Sequence, residues 1–202
     1  MQQQQECMVV IRSRYARTAW EKLCKCVVGD PVHMDIVLAK PGSHSARFCF
    51  SAYMQQTFDM VLMDEGLVMD ESMQNHCINV SDEEFGRCME YMQNLVNART
   101  KYDYADALVI MPATKMFWPL SFFTEDVENM DFQKKVFCSQ SVVLMLRKCL
   151  DASGRHHKLV NWLNATNSRL ASPKLVLGIL LEHSETKSIS NEELARLSIF
   201  KK

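Results

Sequence analysis

The apolar positions change period along the chain. From Val32 to Ala39, the residues Val32, Met34, Ile36 and Leu38 fall on one side, while His33 and Asp35 share the other. That two-residue period predicts a strand. The turn cluster Lys40-Pro41-Gly42-Ser43 follows, and Arg47 to Tyr53, Thr57 to Met63 and the short Leu67 to Asp70 read as further strands. The first half therefore predicts an antiparallel meander. Before it, Tyr15, Trp20, Leu23 and Val27 recur at helical spacing, so Arg14 to Val27 predicts an amphipathic helix stopped by Gly29-Asp30-Pro31.

The second half turns helical. Ser81-Asp82-Glu83-Glu84 is a capping box ahead of Phe85, Cys88, Met89, Met92 and Leu95, which predicts a helix over Asp82 to Ala98. Ala105 to Met111 is an apolar segment read as helix, and Pro112 to Asp131 is a long connection rich in aromatics, with Trp118, Phe122 and Phe123. Lys135 to Leu150 is helical by its apolar spacing, His157 to Leu163 a short helix, and Asn191 to Ile199 a C-terminal helix. Ser172-Pro173 supplies an N-cap and an N1 proline for a helix to about Glu182. The parse is one α+β domain: a polar tail and helix over residues 1–28, packed on a main domain over 29–202 that sets a small antiparallel sheet against helices.

Composition narrows the function. With 202 residues, 23 Lys+Arg and 24 Asp+Glu, the chain has no basic excess, and nucleic acid is not an expected partner. No apolar run approaches the roughly 18 residues of a spanning helix. The N-terminal Gln run lacks an apolar signal region, so a reducing, cytoplasmic setting is expected. There the eight Cys are expected as thiols. They offer Cys24-x-Cys26 and the dipeptide His76-Cys77 but no Cys-x-x-Cys, so no metal and no cofactor is expected. Adjacent His156 and His157 diverge by about 100° on a helix and are expected near a helix C-terminus rather than as chelators. His183 is expected beside a helix end.

One cysteine stands apart. Cys138, in Phe137-Cys138-Ser139-Gln140-Ser141, lies where a helix should start, and backbone N–H groups there stabilise a thiolate. A nucleophilic thiol needs a proton acceptor, and His33 suits because Asp35 shares its strand face and can orient the imidazole. Ser51 on the next strand and His44 in the turn are alternatives to Asp35 as the third polar residue. Ser139 and Gln140 are candidate site-lining residues; Gln140 can orient a site but cannot act as a base. Tyr104 either lines the site or packs the helix end.

The order of these parts resembles the circularly permuted, NlpC-like branch of the papain-like cysteine hydrolase superfamily. Gly29-Asp30 followed by the His33-led strand resembles the branch's first motif. Ser81 to Ala98 with Lys101-Tyr102-Asp103-Tyr104 resembles its helix and aromatic turn. Phe137-Cys138-Ser139-Gln140-Ser141-Val142-Val143 resembles its nucleophile helix, with Gln140 where relatives carry Glu, and Ser172-Pro173 resembles a late segment that packs near the site. The resemblance spans roughly residues 29 to 182. It implies a permuted papain-like fold with Cys138 as nucleophile and His33 as general base. The implied activity is a thiol hydrolase or acyltransferase forming an acyl-enzyme on an amide, isopeptide or (thio)ester bond. Protein, peptide or lipid-conjugate substrates fit, and a viral source fits. The rival expectations are an inactive papain-like module that binds a protein partner, and a metal-binding domain using His33, His44 and scattered Cys.

Overall fold

The computed structural model describes residues 7–40, 47–52, 58–62, 69–103, 107 and 135–196. Strand β1 (Cys7–Arg14) leads into helix α1 (Ala19–Val28), then β2 (His33–Ala39), β3 (Arg47–Ala52), β4 (Phe58–Leu62) and β5 (Met73–Val80). Helix α2 (Asp82–Asn97) is followed by the short strands β6 (Lys101–Tyr102) and β7 (Lys135–Val136). Then come α3 (Cys138–Cys149), α4 (His157–Asn164), α5 (Pro173–Glu182), β8 (Thr186–Ile189) and α6 (Asn191–Arg196). Among the described residues the main sheet has six strands in the order β4-β3-β2-β1-β5-β8, and each of these pairings is antiparallel. The chain is thus α+β, and β2, β3 and β4 form the expected meander.

The centre of the sheet comes from the stretch read as a tail. β1 pairs with β2 on one side and β5 on the other. Its Val9 and Ile11 face the helices, while Val10 faces a smaller cluster with Val37, Cys49, Cys77 and Leu194 of α6. A strand covered on both faces needs no alternation, so Met8 to Ile11 carried no strand period. The expected helix from Arg14 shrinks for the same reason: Arg14 completes β1, and α1 starts at Ala19 behind a Thr18–Glu21 capping box. Gly29 stops it as expected, with φ of 89°. The expected strand from Leu67 to Asp70 is not seen over Met69 and Asp70, which lie in a turn region, and its first two residues lie outside the described residues. β5 and β8 were not foreseen. β5 reads Met-Gln-Asn-His-Cys-Ile-Asn-Val, and its buried Asn75 and His76 find polar partners inside the fold.

Helix α3 lies at the centre of the helical layer. Its residues from Cys138 to Leu146 are all buried, as is Cys149. The apolar run Val142 to Leu146 dictates burial all round the helix, and the polar Ser139, Gln140 and Ser141 before it are buried with side-chain hydrogen bonds to backbone. The helix starts three residues later than expected because Lys135 and Val136 pair in parallel with Lys101 and Tyr102. α2 packs on α3 through Cys88, Met92 and Leu95. Its capping box is present, and Glu84 serves twice, accepting from Ser81 N–H at 2.8 Å and from Asp151 N–H at 2.9 Å. Arg87 donates to the Cys149 carbonyl at 2.9 Å and caps the far end of α3. Ser172 and Pro173 start α5 as expected. The expected C-terminal helix is described over Asn191–Arg196; the rest lies outside the described residues. Among the described residues no helix is long and apolar enough to cross a membrane.

His156 corrects an expectation. It follows Gly154 but sits at the start of α4, not at a helix C-terminus. Its Nε2 lies 3.0 Å from the Asn79 carbonyl of β5 and its Nδ1 3.3 Å from Nε2 of His183, which caps α5 as expected. The pair therefore ties β5, α4 and α5 together in its neutral form. Burial lowers the pKa of both imidazoles, helped at His183 by His156 and opposed at His156 by Glu84. A depressed folded-state pKa means that the unfolded chain binds the proton more tightly, so this stability is present above the ordinary histidine value of about 6.5 and is lost as pH falls below it. Thermal melts between pH 7.5 and 5.5 should show the midpoint falling with pH, and His183→Gln should flatten that fall. A wild-type midpoint that does not move would contradict the role given to this pair.

Candidate active site

The first turn of α3 and the start of β2 meet. Cys138 is the first residue of α3, with Phe137 in extended conformation before it. The first intrahelical bond runs from Ser141 N–H to the Phe137 carbonyl at 3.0 Å, so the N–H groups of Cys138, Ser139 and Gln140 precede the helical ladder. Those of Ser139 and of Met34 in β2 bond to the Cys138 sulfur, and the imidazole of His33 hydrogen-bonds to it as well. His33 Nε2 lies 2.8 Å from Asp35 Oδ1 and 3.2 Å from Ser51 Oγ. That leaves Nδ1 as the ring nitrogen for the sulfur. Ser51 donates its hydroxyl to the same Oδ1 of Asp35. The trio straddles the end of the sheet. Cys138 belongs to the cluster on the helical side, while Asp35 lies on the opposite strand face, two residues from Val37 of the smaller cluster. His33, at the first residue of β2, links them.

Electrostatics separates Cys138 from the other thiols. Burial pushes Cys7 up to about 11 and Cys49 up to about 12, and raises Cys24 and Cys77. The hydrogen bond that the Cys88 thiol donates to Cys149, together with burial, raises Cys88. Burial also opposes a thiolate at Cys138, but the charge and hydrogen bond of His33 and the two backbone N–H groups outweigh it, so its pKa is lowered. Burial likewise opposes an imidazolium at His33. Asp35 and the Cys138 thiolate outweigh it and raise His33 to about 10. The Asp35 carboxyl is held below its ordinary value against burial by His33, Ser51 and Arg12. The favoured state is Asp35 carboxylate, His33 imidazolium and Cys138 thiolate.

The remaining candidates divide. Asp35 and Ser51, read as alternatives for the third polar residue, both bond to His33. Ser139 does not line a cleft: it is fully buried and its hydroxyl donates to the Ala171 carbonyl at 2.6 Å, tying the first turn of α3 to the segment before α5. Gln140 is also buried, and its Oε1 accepts from Phe137 N–H at 3.4 Å, half of a capping box. Both brace the first turn of α3 from inside the fold. Ser141 bonds back to the Cys138 carbonyl at 2.7 Å. Tyr104 and His44 lie outside the described residues. Arg12 was missed. It is buried and directly opposite Asp35 in the β1–β2 register, and no signal in the sequence marked it, because the strand that carries it showed no strand period.

An open groove of about 610 Å³ runs between α4 and α5, lined by Trp162, Leu175, Gly178 and Ile179 among others. Its rim reaches Ser172, next to the Ala171 that receives Ser139. Comparison of the chain with family models, with curated proteins and with solved structures gives no match.

A thiolate at rest has a measurable consequence. Alkylation at Cys138, located by peptide mapping, should be fast and nearly flat around neutral pH and should fall only on the acid side. His33→Ala removes the charge that offsets burial and should slow alkylation at pH 7 by tenfold or more, about one pKa unit's worth or above. An unaltered rate–pH profile would remove His33 as the partner of Cys138.

Proposed function

We propose that this chain is a cysteine-dependent hydrolase or acyltransferase acting on an amide, isopeptide or (thio)ester bond, built on a circularly permuted papain-like fold of the NlpC-like kind. The observation that carries the reading is the hydrogen bond between His33 and Cys138 at a helix start, with Asp35 on the far nitrogen of the ring. Nucleophile, proton carrier and orienting carboxylate are the three roles acyl transfer requires. The motif order that resembles the family adds support.

In the proposed cycle the Cys138 sulfur attacks the acyl carbonyl, and the carbonyl π electrons move to oxygen. The oxyanion lies near N–H groups of the first turn of α3, donors aimed by the helix itself. Collapse breaks the bond to the leaving group, which takes the proton from His33 Nδ1. An acyl thioester on Cys138 and a neutral His33 remain. Water, or another acceptor, then gives its proton to His33 and attacks the thioester. Collapse releases the acid or transferred acyl product and restores thiolate and imidazolium. Asp35 holds the ring through Nε2 in both halves and gains no proton. Ser51, donating to the same carboxylate oxygen, fixes which oxygen the ring meets.

A second reading is an inactive module of the same fold that binds a protein partner, favoured by the exposed Trp162 and Leu175 in the α4–α5 groove. Incubation with a panel of peptidyl, ubiquitin-type and acyl-chain electrophiles separates the two. The hydrolase reading expects an adduct mapped to Cys138 that is lost in Cys138→Ala and reduced at least tenfold in His33→Ala. Labelling that persists unchanged in Cys138→Ala would make the nucleophile assignment wrong.

A further inference from the structure

Asp35 belongs to a polar row that crosses the sheet on the face away from the main core. Arg12 of β1 stands directly opposite Asp35 of β2, and directly opposite Asn75 of β5. Arg12, Asp35, Asn75 and Ser51 are all buried. Their neighbours on this face are Val10, Val37, Cys49 and Cys77, so little else there can solvate a charge. Arg12 Nε donates to Asn75 Oδ1 at 3.0 Å. Asn75 Nδ2 in turn donates to Asn191 Oδ1 at 2.8 Å, and Asn191 Nδ2 to the Asp70 carbonyl at 3.3 Å. The amides of Asn75 and Asn191 are thereby oriented from the outer end of the row inward. Asn75 holds the Nε end of the guanidinium, and the β1–β2 register sets the Arg12 charge on the same face as the carboxylate that carries His33, where it helps to keep that carboxyl ionised.

Charge counting shows what this arrangement does. With Asp35 and Cys138 ionised and His33 protonated, the buried trio carries one net negative charge. Arg12 brings the sum to zero. Among the described residues, the other charged or titratable groups near the row are Arg14 of β1, Asp70 before β5 and the thiols of Cys49 and Cys77, which burial keeps neutral at ordinary pH. Arg14 and Asp70 pair with one another at 3.5 Å.

Resting on the thiol-hydrolase reading of the site, we propose that Arg12 is its positioning residue: held by Asn75, which Asn191 orients in turn, its guanidinium balances the charge of the Asp35 carboxylate and so sets the pH at which the Cys138 nucleophile forms. Arg12 touches no reacting atom in this scheme. Removing its charge makes the buried cluster net negative, and the cluster takes up a proton more readily. The acid limb of Cys138 reactivity then moves to higher pH. Arg12 acts on the sulfur through Asp35 and His33, so the movement expected is at the low end of the one to three pKa units that an adjacent opposite charge supplies.

The test follows alkylation of Cys138 as a function of pH, located by peptide mapping, in the full chain. Arg12→Gln should move the acid limb upward by about one unit. At a pH on that limb, Cys138 should react about tenfold more slowly than in the wild type. Arg12→Lys keeps the charge and should recover most of the shift. Asn75→Ala leaves the charge but frees the guanidinium, and should move the limb the same way by less. A residue that merely fills the sheet would lower the melting temperature in Arg12→Gln and leave the limb where it was, and that result overturns the proposal. Should Arg12→Gln not fold, an unmoved limb in Asn75→Ala overturns it instead. His33→Ala in the same assay separates the two levels of the argument. If its profile matches the wild type, the Cys138–His33 reading itself fails; if it changes while the Arg12 variants do not, the role of Arg12 alone fails.

Discussion

A thiolate cannot be buried unless something positive is buried with it, and the site follows from that constraint. Desolvation acts against the charged form of Cys138, of His33 and of Asp35 alike. Each is charged only because the others are. His33 sits between two anions, bonded to Asp35 through Nε2 and to the sulfur on its other side. Break any one link and burial prevails at the rest, because an unpaired buried charge costs several kcal/mol. The backbone adds the remaining stabilisation of the sulfur through the N–H groups of Met34 and Ser139.

The fold reads as the device that brings these groups together. Met34 lies one residue from His33 on β2, and Ser139 one residue from Cys138 on α3, so both sulfur-directed N–H groups are fixed as soon as the two elements pack. Among the described helices α3 is the most enclosed. Arg87 caps its end, and its first turn is pinned by Ser139 to Ala171 and by Gln140 to the backbone of Phe137. Asp35 and Ser51 approach from the opposite face of the sheet. This division gives the first residue of β2 its value: a ring placed there can reach both sides of the strand end.

Much of this was legible in the amino-acid sequence, for identifiable reasons. The alternation of Val32 to Leu38 placed His33 and Asp35 on one face, and side chains two apart on a strand do meet. The Ser81 and Ser172 caps marked helix starts because capping chemistry is local. Cys138 could be placed at a helix start but not at its first residue, since the pairing of Lys135 and Val136 with Lys101 and Tyr102 is a contact across more than thirty residues. β1 was hidden by its own burial on both faces. Asn75 and His76 interrupt the apolar run of β5, and a sequence does not show which buried polar groups will find partners. The choice between Asp35 and Ser51 was posed as one or the other; the structure gives a carboxylate oxygen shared by both. Arg12 could not be joined to the site without the β1–β2 register.

The mechanism stands on the ionisation of His33, and nuclear magnetic resonance of its ring reads that directly. In the wild-type protein at pH 8 the His33 imidazole should carry protons on both nitrogens, and its titration should centre near 10. Replacing the sulfur in Cys138→Ser should bring that titration down. A neutral His33 at pH 8, titrating near the ordinary value of about 6.5, would contradict the ion pair and the mechanism built on it.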